Sequence, residues 1–254
     1  MSASDAATIV WESHGDRWIW LGASDPEAEK GIASNQFLVV HGGRGMLLDP
    51  GGYHVFSRVL DNTLEAVNRD AIDAIFLSHQ DPDVCGSLIS WMEMKPDVTV
   101  LVSRLWERFV THFALPVEPR LQLLADAGDT YDLGGTELRL IPAHFLHSPG
   151  NFVVYDPAAK ILFSGDVGAS IRSVGEPLFV EDFDAHIEKM VGFHQRYVPC
   201  NRAVRMLLDR LDGLAIDMIL PQHGASFRGE DVGRFVEWIG GLDVGVDYKD
   251  WGKP

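Results

Sequence analysis

Ala74-Ile75-Phe76-Leu77-Ser78-His79-Gln80-Asp81-Pro82-Asp83 is the stretch on which the reading of this chain turns. The apolar run over 71–77 has the length of a buried strand and stops abruptly at Ser78-His79. Three side chains of metal-binding type then follow two residues apart, His79, Asp81 and Asp83, on a short loop stiffened by Pro82. The carboxylates offer hard oxygen donors, and the imidazole favours a transition metal. Taken alone, the loop fits a solvated acidic turn with an incidental histidine equally well. Two more strand-like runs end in the same manner. Ile161–Ser164 leads into Gly165-Asp166, and Ile219-Leu220 leads into Pro221-Gln222-His223-Gly224. Open α/β sheets build their sites at such strand ends, so the three together favour a metal site over a solvated turn.

Working outward, the spacing predicts strands over 18–21, 35–40 and 45–48, the last closed by the turn Asp49-Pro50-Gly51-Gly52. An amphipathic helix is expected over 56–67, a helix over 85–94, a strand over 98–102 and a helix over 103–113. A β-rich region follows at 121–124, 136–141, 151–155 and 160–164. Helices are expected over 184–191, 202–211 and 230–239, and a strand over 217–220. Strands and helices alternate in two halves, which suits an α/β sandwich of two sheets with helices outside. No repeat, low-complexity segment or Pro/Ser-rich linker interrupts the chain, so one domain over 1–254 is expected.

The composition is that of a globular protein, 46% hydrophobic and 23% charged, with a formal net charge of −16. That balance argues against a nucleic-acid backbone or an anionic membrane as partner. The two cysteines, Cys85 and Cys200, lie far apart and in no metal-ligand spacing. Residues 1–11 lack the basic and apolar regions of a signal peptide, and no apolar run approaches the roughly 20 residues that span a bilayer. A cytoplasmic location is the expectation.

The strand-end residues resemble those of the metallo-β-lactamase superfamily, over nearly the whole chain from Asn35 through Asp49-Pro50-Gly51 to His223-Gly224. The resemblance implies an αββα sandwich of two mixed sheets flanked by helices, with a two-metal site between the sheet edges. Hydrolytic members present His-x-His-x-Asp-His. This chain has Asp81 where the second His would stand and Val84 where the third would stand. The departures resemble the diiron branch, in which a carboxylate replaces that His, and most of all its oxygen-binding diiron proteins. His147-Ser148-Pro149 is similar to the branch's His-Trp-Pro segment, and Leu162-Phe163-Ser164-Gly165-Asp166 to the segment carrying the bridging Asp.

The resemblance implies one iron held by His79, Asp81 and His147, a second held by Asp83 and His223, and Asp166 bridging them. Three carboxylates and one hydroxide would balance two divalent cations. His144, three residues before His147, is a candidate to support the site from outside the ligand set. Cys85 reads either as a small residue opening a helix or as a redox thiol. Phe145, Phe152 and Tyr155 read as core, or as the wall of a dry pocket.

The function this implies is O2 or NO binding at a diiron centre, as an oxygen sensor or as a reductase served by a separate electron-transfer or signalling protein. The alternative is a zinc or manganese hydrolase of an ester, thioester or phosphoester, which rests on fold analogy. The oligomeric state is left open, a homodimer included.

Overall fold

The computed structural model describes residues 7–23, 32–110, 112, 120–172 and 176–249. Among them, strands β1 (Thr8–Ser13), β2 (Asp16–Ala23), β3 (Asn35–His41), β4 (Arg44–Leu48), β5 (Ile72–Phe76), β6 (Thr99–Ser103) and β7 (Arg120–Leu124) form one sheet in sequence order. Strands β8 (Asp129–Leu133), β9 (Thr136–Pro142), β10 (Phe152–Asp156), β11 (Ile161–Gly165), β12 (Met218–Pro221) and β13 (Phe227–Arg228) form the other. Both sheets are mixed. β4 to β7 run parallel, as do β11 and β12, and the remaining pairs are antiparallel.

The two-residue period of a strand explains why sheets and helices stack in four layers. In β3, Phe37 and Val39 enter the core between the sheets, while Leu38 and Val40 face the opposite way into a second core. That second core is completed by Val59 of helix α1 (Phe56–Ala66) and by Leu88 and Trp91 of the helix over Leu88–Met94. In β10 and β11, Phe152, Val154, Ile161 and Phe163 point between the sheets, whereas Val153, Tyr155 and Leu162 point outward. Helices over Phe183–Tyr197, Asn201–Leu211 and Glu230–Gly241 cover those outward residues with Met190, Val204, Leu207 and Phe235. Edge-on contacts of Phe163 with Phe37 at 5.9 Å and Phe76 at 6.3 Å join the sheets. Each such fully buried ring is worth about 1.5–3 kcal/mol relative to exposure. The αββα sandwich expected from the sequence is what forms.

Several boundaries differ from expectation. β1 and β8 are half-exposed edge strands not anticipated from the sequence; β8 is mostly polar, and the apolar run of β1 is only Ile9-Val10-Trp11. The helix expected over 85–94 is two pieces, Pro82–Cys85 and Leu88–Met94. The helix expected over 103–113 is a 3-10 turn at Arg104–Trp106 followed by Glu107–Val110, and its expected end at 113 lies outside the described residues. The helix expected over 184–191 continues to Tyr197, because packing of its apolar side outweighs the weak helix propensity of Gly192. No described helix is long and apolar enough to cross a membrane.

Candidate metal centre

Three strands end at one place. β5 leads into Ser78-His79, β11 into Asp166 and β12 into Gln222-His223, while His147 comes from the loop between β9 and β10. The two sheets are tied together at this edge by Phe152 N–H donating to the Ser78 carbonyl at 3.0 Å. Asp81 stands at the N-cap position of the short helix begun by Pro82, where a carboxylate ordinarily accepts a backbone N–H. It makes no such bond and faces the site instead. The His223 loop is held by Asn35, whose Nδ2 donates to the carbonyls of Pro221 at 3.0 Å and Gly224 at 2.9 Å. Only glycine fits at 224, because φ is +81° and an added Cβ would meet Ser170 Oγ at 1.8 Å.

The structure brings all six residues singled out from the sequence to one place. Asp166 is at the centre, with its two carboxylate oxygens serving different neighbours. Oδ2 lies 2.8 Å from His147 Nε2 and 3.7 Å from His79 Nε2, while Oδ1 lies 3.6 Å from His223 Nε2. Asp81 Oδ2 completes the first group, 3.5 Å from His147 Nε2 and 3.7 Å from His79 Nε2. Asp83 Oδ2 completes the second, 3.0 Å from His223 Nε2. His79, Asp81 and His147 present donor atoms within 4.8 Å of one another, close enough to share one ion.

Two histidines have their outer nitrogens occupied. His223 Nδ1–H donates to the Ala33 carbonyl at 2.9 Å. His79 Nδ1 is 2.8 Å from Ser78 Oγ, which in turn donates to Asp49 Oδ2 at 2.5 Å. Such bonds put the proton on Nδ1 and leave the Nε2 lone pair directed inward, the tautomer a metal requires. Gln80 connects two of the loops. Its Oε1 accepts from Ser148 Oγ at 2.5 Å, and its Nε2 donates to Asp81 Oδ1 at 3.2 Å, leaving Oδ2 for the site. Gln222 Nε2 donates to the Asp83 carbonyl at 3.2 Å and ties the His223 loop to the same strand end.

The donor set fits a metal pair on chemical grounds. Asp166 Oδ1 is buried without a hydrogen-bond partner among the described residues. A buried oxygen left so costs about 1–3 kcal/mol unless something else satisfies it. Burial opposes ionisation of Asp166, yet the facing histidines His79, His147 and His223 hold its pKa well below the ordinary carboxylate value. Burial likewise opposes charge on His223, but Asp83 and Asp166 raise it to about 9. His147 is raised in the same way, by Asp166 against the effect of burial, whereas burial dominates at His79 and lowers it. Protons therefore stand in for cations here, and a metal must displace them.

His144 is placed differently from the six, facing Asp126 at 3.5 Å and the ring of Phe152 at 5.4 Å. Cys85 is buried, with its thiol 3.2 Å from the Gln80 carbonyl and 3.1 Å from that of Asp81. Burial pushes its pKa up to about 12, so it is a thiol that braces the ligand loop. Phe152 and Tyr155 are core residues, and Phe145 is half exposed. The aromatic wall against His147 is made instead by Phe193 at 5.7 Å and Tyr197 at 5.6 Å. Sequence reasoning missed both, along with Asp49, Ser78 and Gln80. The only signal for Gln80 was its place between two ligands.

The profile of the ODP family beta lactamase matches residues 32–224. A structure described as the peroxy diiron species of chemotaxis sensor ODP superposes with a TM-score of 0.83 at 39% identity, covering 96% of this chain and 97% of that one. The apo state of chemotaxis sensor ODP from T. denticola gives 0.82 at 39% identity, covering 95% and 97%. Diflavin flavoprotein A 1 of Synechocystis sp. is 27% identical over 83% of this chain, which spans 37% of that longer protein. The anaerobic nitric oxide reductase flavorubredoxin of Enterobacter sp. is 27% identical over 91% of this chain and 50% of its own length.

Proposed function

The chain belongs to the ODP family of beta lactamases, and from that premise we propose that it is a non-heme diiron protein that binds O2 and serves as an oxygen sensor. The observation that carries the proposal is the position of Asp166, whose two oxygens face separate donor groups. One iron would be held by His79, Asp81 and His147, the other by Asp83 and His223, with Asp166 shared between them. When bound, a pair of Fe(II) ions supplies electrons to a diatomic ligand, which zinc, a d¹⁰ ion, does not.

The protein's own residues provide the conditions for that chemistry. Asp81, Asp83 and Asp166 bring three negative charges to the site, so a 4+ metal pair would be largely neutralised. Ser78, Asp49 and the Ala33 carbonyl orient the imidazoles. Phe193 and Tyr197, stacked at 4.9 Å, keep water from one side of His147. Similarity across nearly the full length of a chemotaxis sensor supports sensing over turnover. A sensor also requires a signalling partner, and a reductase of O2 or NO would require a separate electron donor.

The test is to purify the protein without oxygen, quantify its metals, reduce it and admit O2 while recording the absorption spectrum. About two irons per chain and an O2-dependent band that persists without an electron donor are expected. Zinc alone, with no spectral response, would refute the diiron reading. Rapid O2 or NO consumption with a donor would replace sensing by reduction.

A further inference from the structure

On the His79 side of the metal centre lies an apolar pocket of about 250 Å³. Its walls are Leu77, Cys85, Val102, Trp106, Phe109 and Val110. His79 and Gln80, from the ligand loop itself, also line it. Phe109 is 56% exposed, so the pocket reaches the surface, whereas His79 is 1% exposed. The pocket therefore extends from the surface to the buried His79, on the side of the centre away from the more exposed Asp81 and Asp83.

The chemistry of the wall selects the occupant. Most polar groups of the inner part are already committed. The Cys85 thiol is bonded to the Gln80 and Asp81 carbonyls, the Gln80 amide to Ser148 and Asp81, and His79 Nδ1 to Ser78. Trp106 Nε1 has no hydrogen-bond partner but is packed against Gly150, where an added Cβ would sit 2.5 Å away. The remaining polar residue, His112, is exposed. A water held in such a pocket needs two to four polar partners, and among the described residues the inner wall offers fewer than that. An apolar cavity of roughly 150 Å³ already takes up xenon or benzene. A small, uncharged, apolar molecule suits this one better than water or an ion.

We propose that this pocket is the route and holding site through which O2 reaches the metal centre. The inference rests on the oxygen-binding reading above and deepens it. Trp106 and Phe109, edge-on at 5.5 Å, form the outer part of the route. Trp106 also touches Gly150 on the loop that carries His147, so the pocket wall meets both loops of the first ligand group.

Xenon is the probe that separates pocket from chemistry. Crystals of the metal-free protein under xenon pressure are expected to show an atom among Cys85, Val102 and Val110. Val110→Trp fills that space and should remove it. In stopped-flow mixing of the iron-loaded, reduced protein with O2, the same variant should slow the O2-dependent absorption change by about tenfold or more, with metal content unchanged. Val102→Phe, which fills the pocket from β6 instead of the helix, provides a second variant should the first fail to fold. Xenon confined to the separate cavity of about 20 Å³ that touches His147 and Asp166, or unaltered rates in a loaded, filled variant, would overturn this inference alone. A wild-type, iron-loaded protein that does not respond to O2 would defeat the oxygen-binding reading and this inference with it.

Discussion

Replacing Asp156 by Asn tests how the two sheets are locked together away from the metal centre. Asp156 ends β10 and is fully buried. Its Oδ2 accepts from Trp18 Nε1 and from His41 Nε2, both at 2.7 Å, and its Oδ1 accepts from the amides of Ala158 at 2.9 Å and Ala159 at 3.1 Å. Trp18 and His41 belong to β2 and β3, so one carboxylate fastens the first sheet to the second. His41 is also fully buried and turns its other nitrogen to Asp16 at 3.1 Å. The amide in the variant keeps the shape but loses the charge and turns a donor toward other donors. Breaking a buried ion pair from one side costs about 3–5 kcal/mol. Asp16 still faces His41, which places the expected loss in the lower part, about 3–4 kcal/mol. For a chain of this length that lowers Tm by roughly 6–16 °C.

The pH dependence carries a sign that can be checked in the same melts. Burial opposes charge on His41, but Asp156 and Asp16 raise its pKa above the ordinary 6.5. Its contribution is therefore complete below 6.5 and fades as pH rises through the raised value. Burial opposes ionisation of Asp156, yet His41 and Trp18 lower it below the ordinary 3.8. Its contribution is complete above 3.8 and is lost as pH falls through the lowered value. The gap between wild type and Asp156→Asn should be widest between about pH 4 and 6.5 and narrow on the alkaline side. Thermal or urea unfolding of the metal-free protein measures it. A Tm change under about 2 °C at pH 6, or a gap that widens toward alkaline pH, would refute the reasoning.

Asp166→Asn removes the charge shared by the two donor groups, and elemental analysis should show metal content falling from about two ions per chain to one or fewer. His79→Ala is expected to remove metal as well, so the pair tests the site and not its chemistry. Because the metal-free site holds a proton on His223, whose pKa is raised to about 9, metal loading at pH 7 should release protons. Affinity should then rise with pH up to about that value. Calorimetry in buffers of different ionisation enthalpy counts the protons, and a release of none would contradict the assignment. Gln80→Ala breaks the link from Ser148 to Asp81 without removing a ligand. Competition with a chelator should show metal affinity down by about 10–100-fold, with the melting temperature of the metal-free protein nearly unchanged.

The local pattern of the chain already carries the buried strands at 72–76, 161–165 and 218–221, their abrupt polar ends, and five residues with metal-binding side chains placed there. Strand length, apolar runs and turn residues act over a few positions, so they can be read without knowing what lies across the molecule. Asp81 stands where hydrolytic members of the resembled superfamily carry a histidine, so the carboxylate-rich character of the site is legible through that resemblance. What the tertiary structure decided are relations across long separations. These include the division of Asp166 between His147 and His223, the Ala33 and Ser78–Asp49 bonds that fix the imidazole tautomers, and Gln80 joining two loops. The aromatic wall came from Phe193 and Tyr197, which lie beyond the end at 191 expected for their helix, and the strand-side aromatics Phe152 and Tyr155 went to the core. The edge strands β1 and β8 were hidden because neither offers the longer apolar run by which the inner strands are read. β8 is short and mostly polar (Asp129, Thr130, Asp132), and the apolar run of β1 is only Ile9-Val10-Trp11. A residue's type sets which bonds it can make, but only the meeting of the two sheets sets which of those bonds exist.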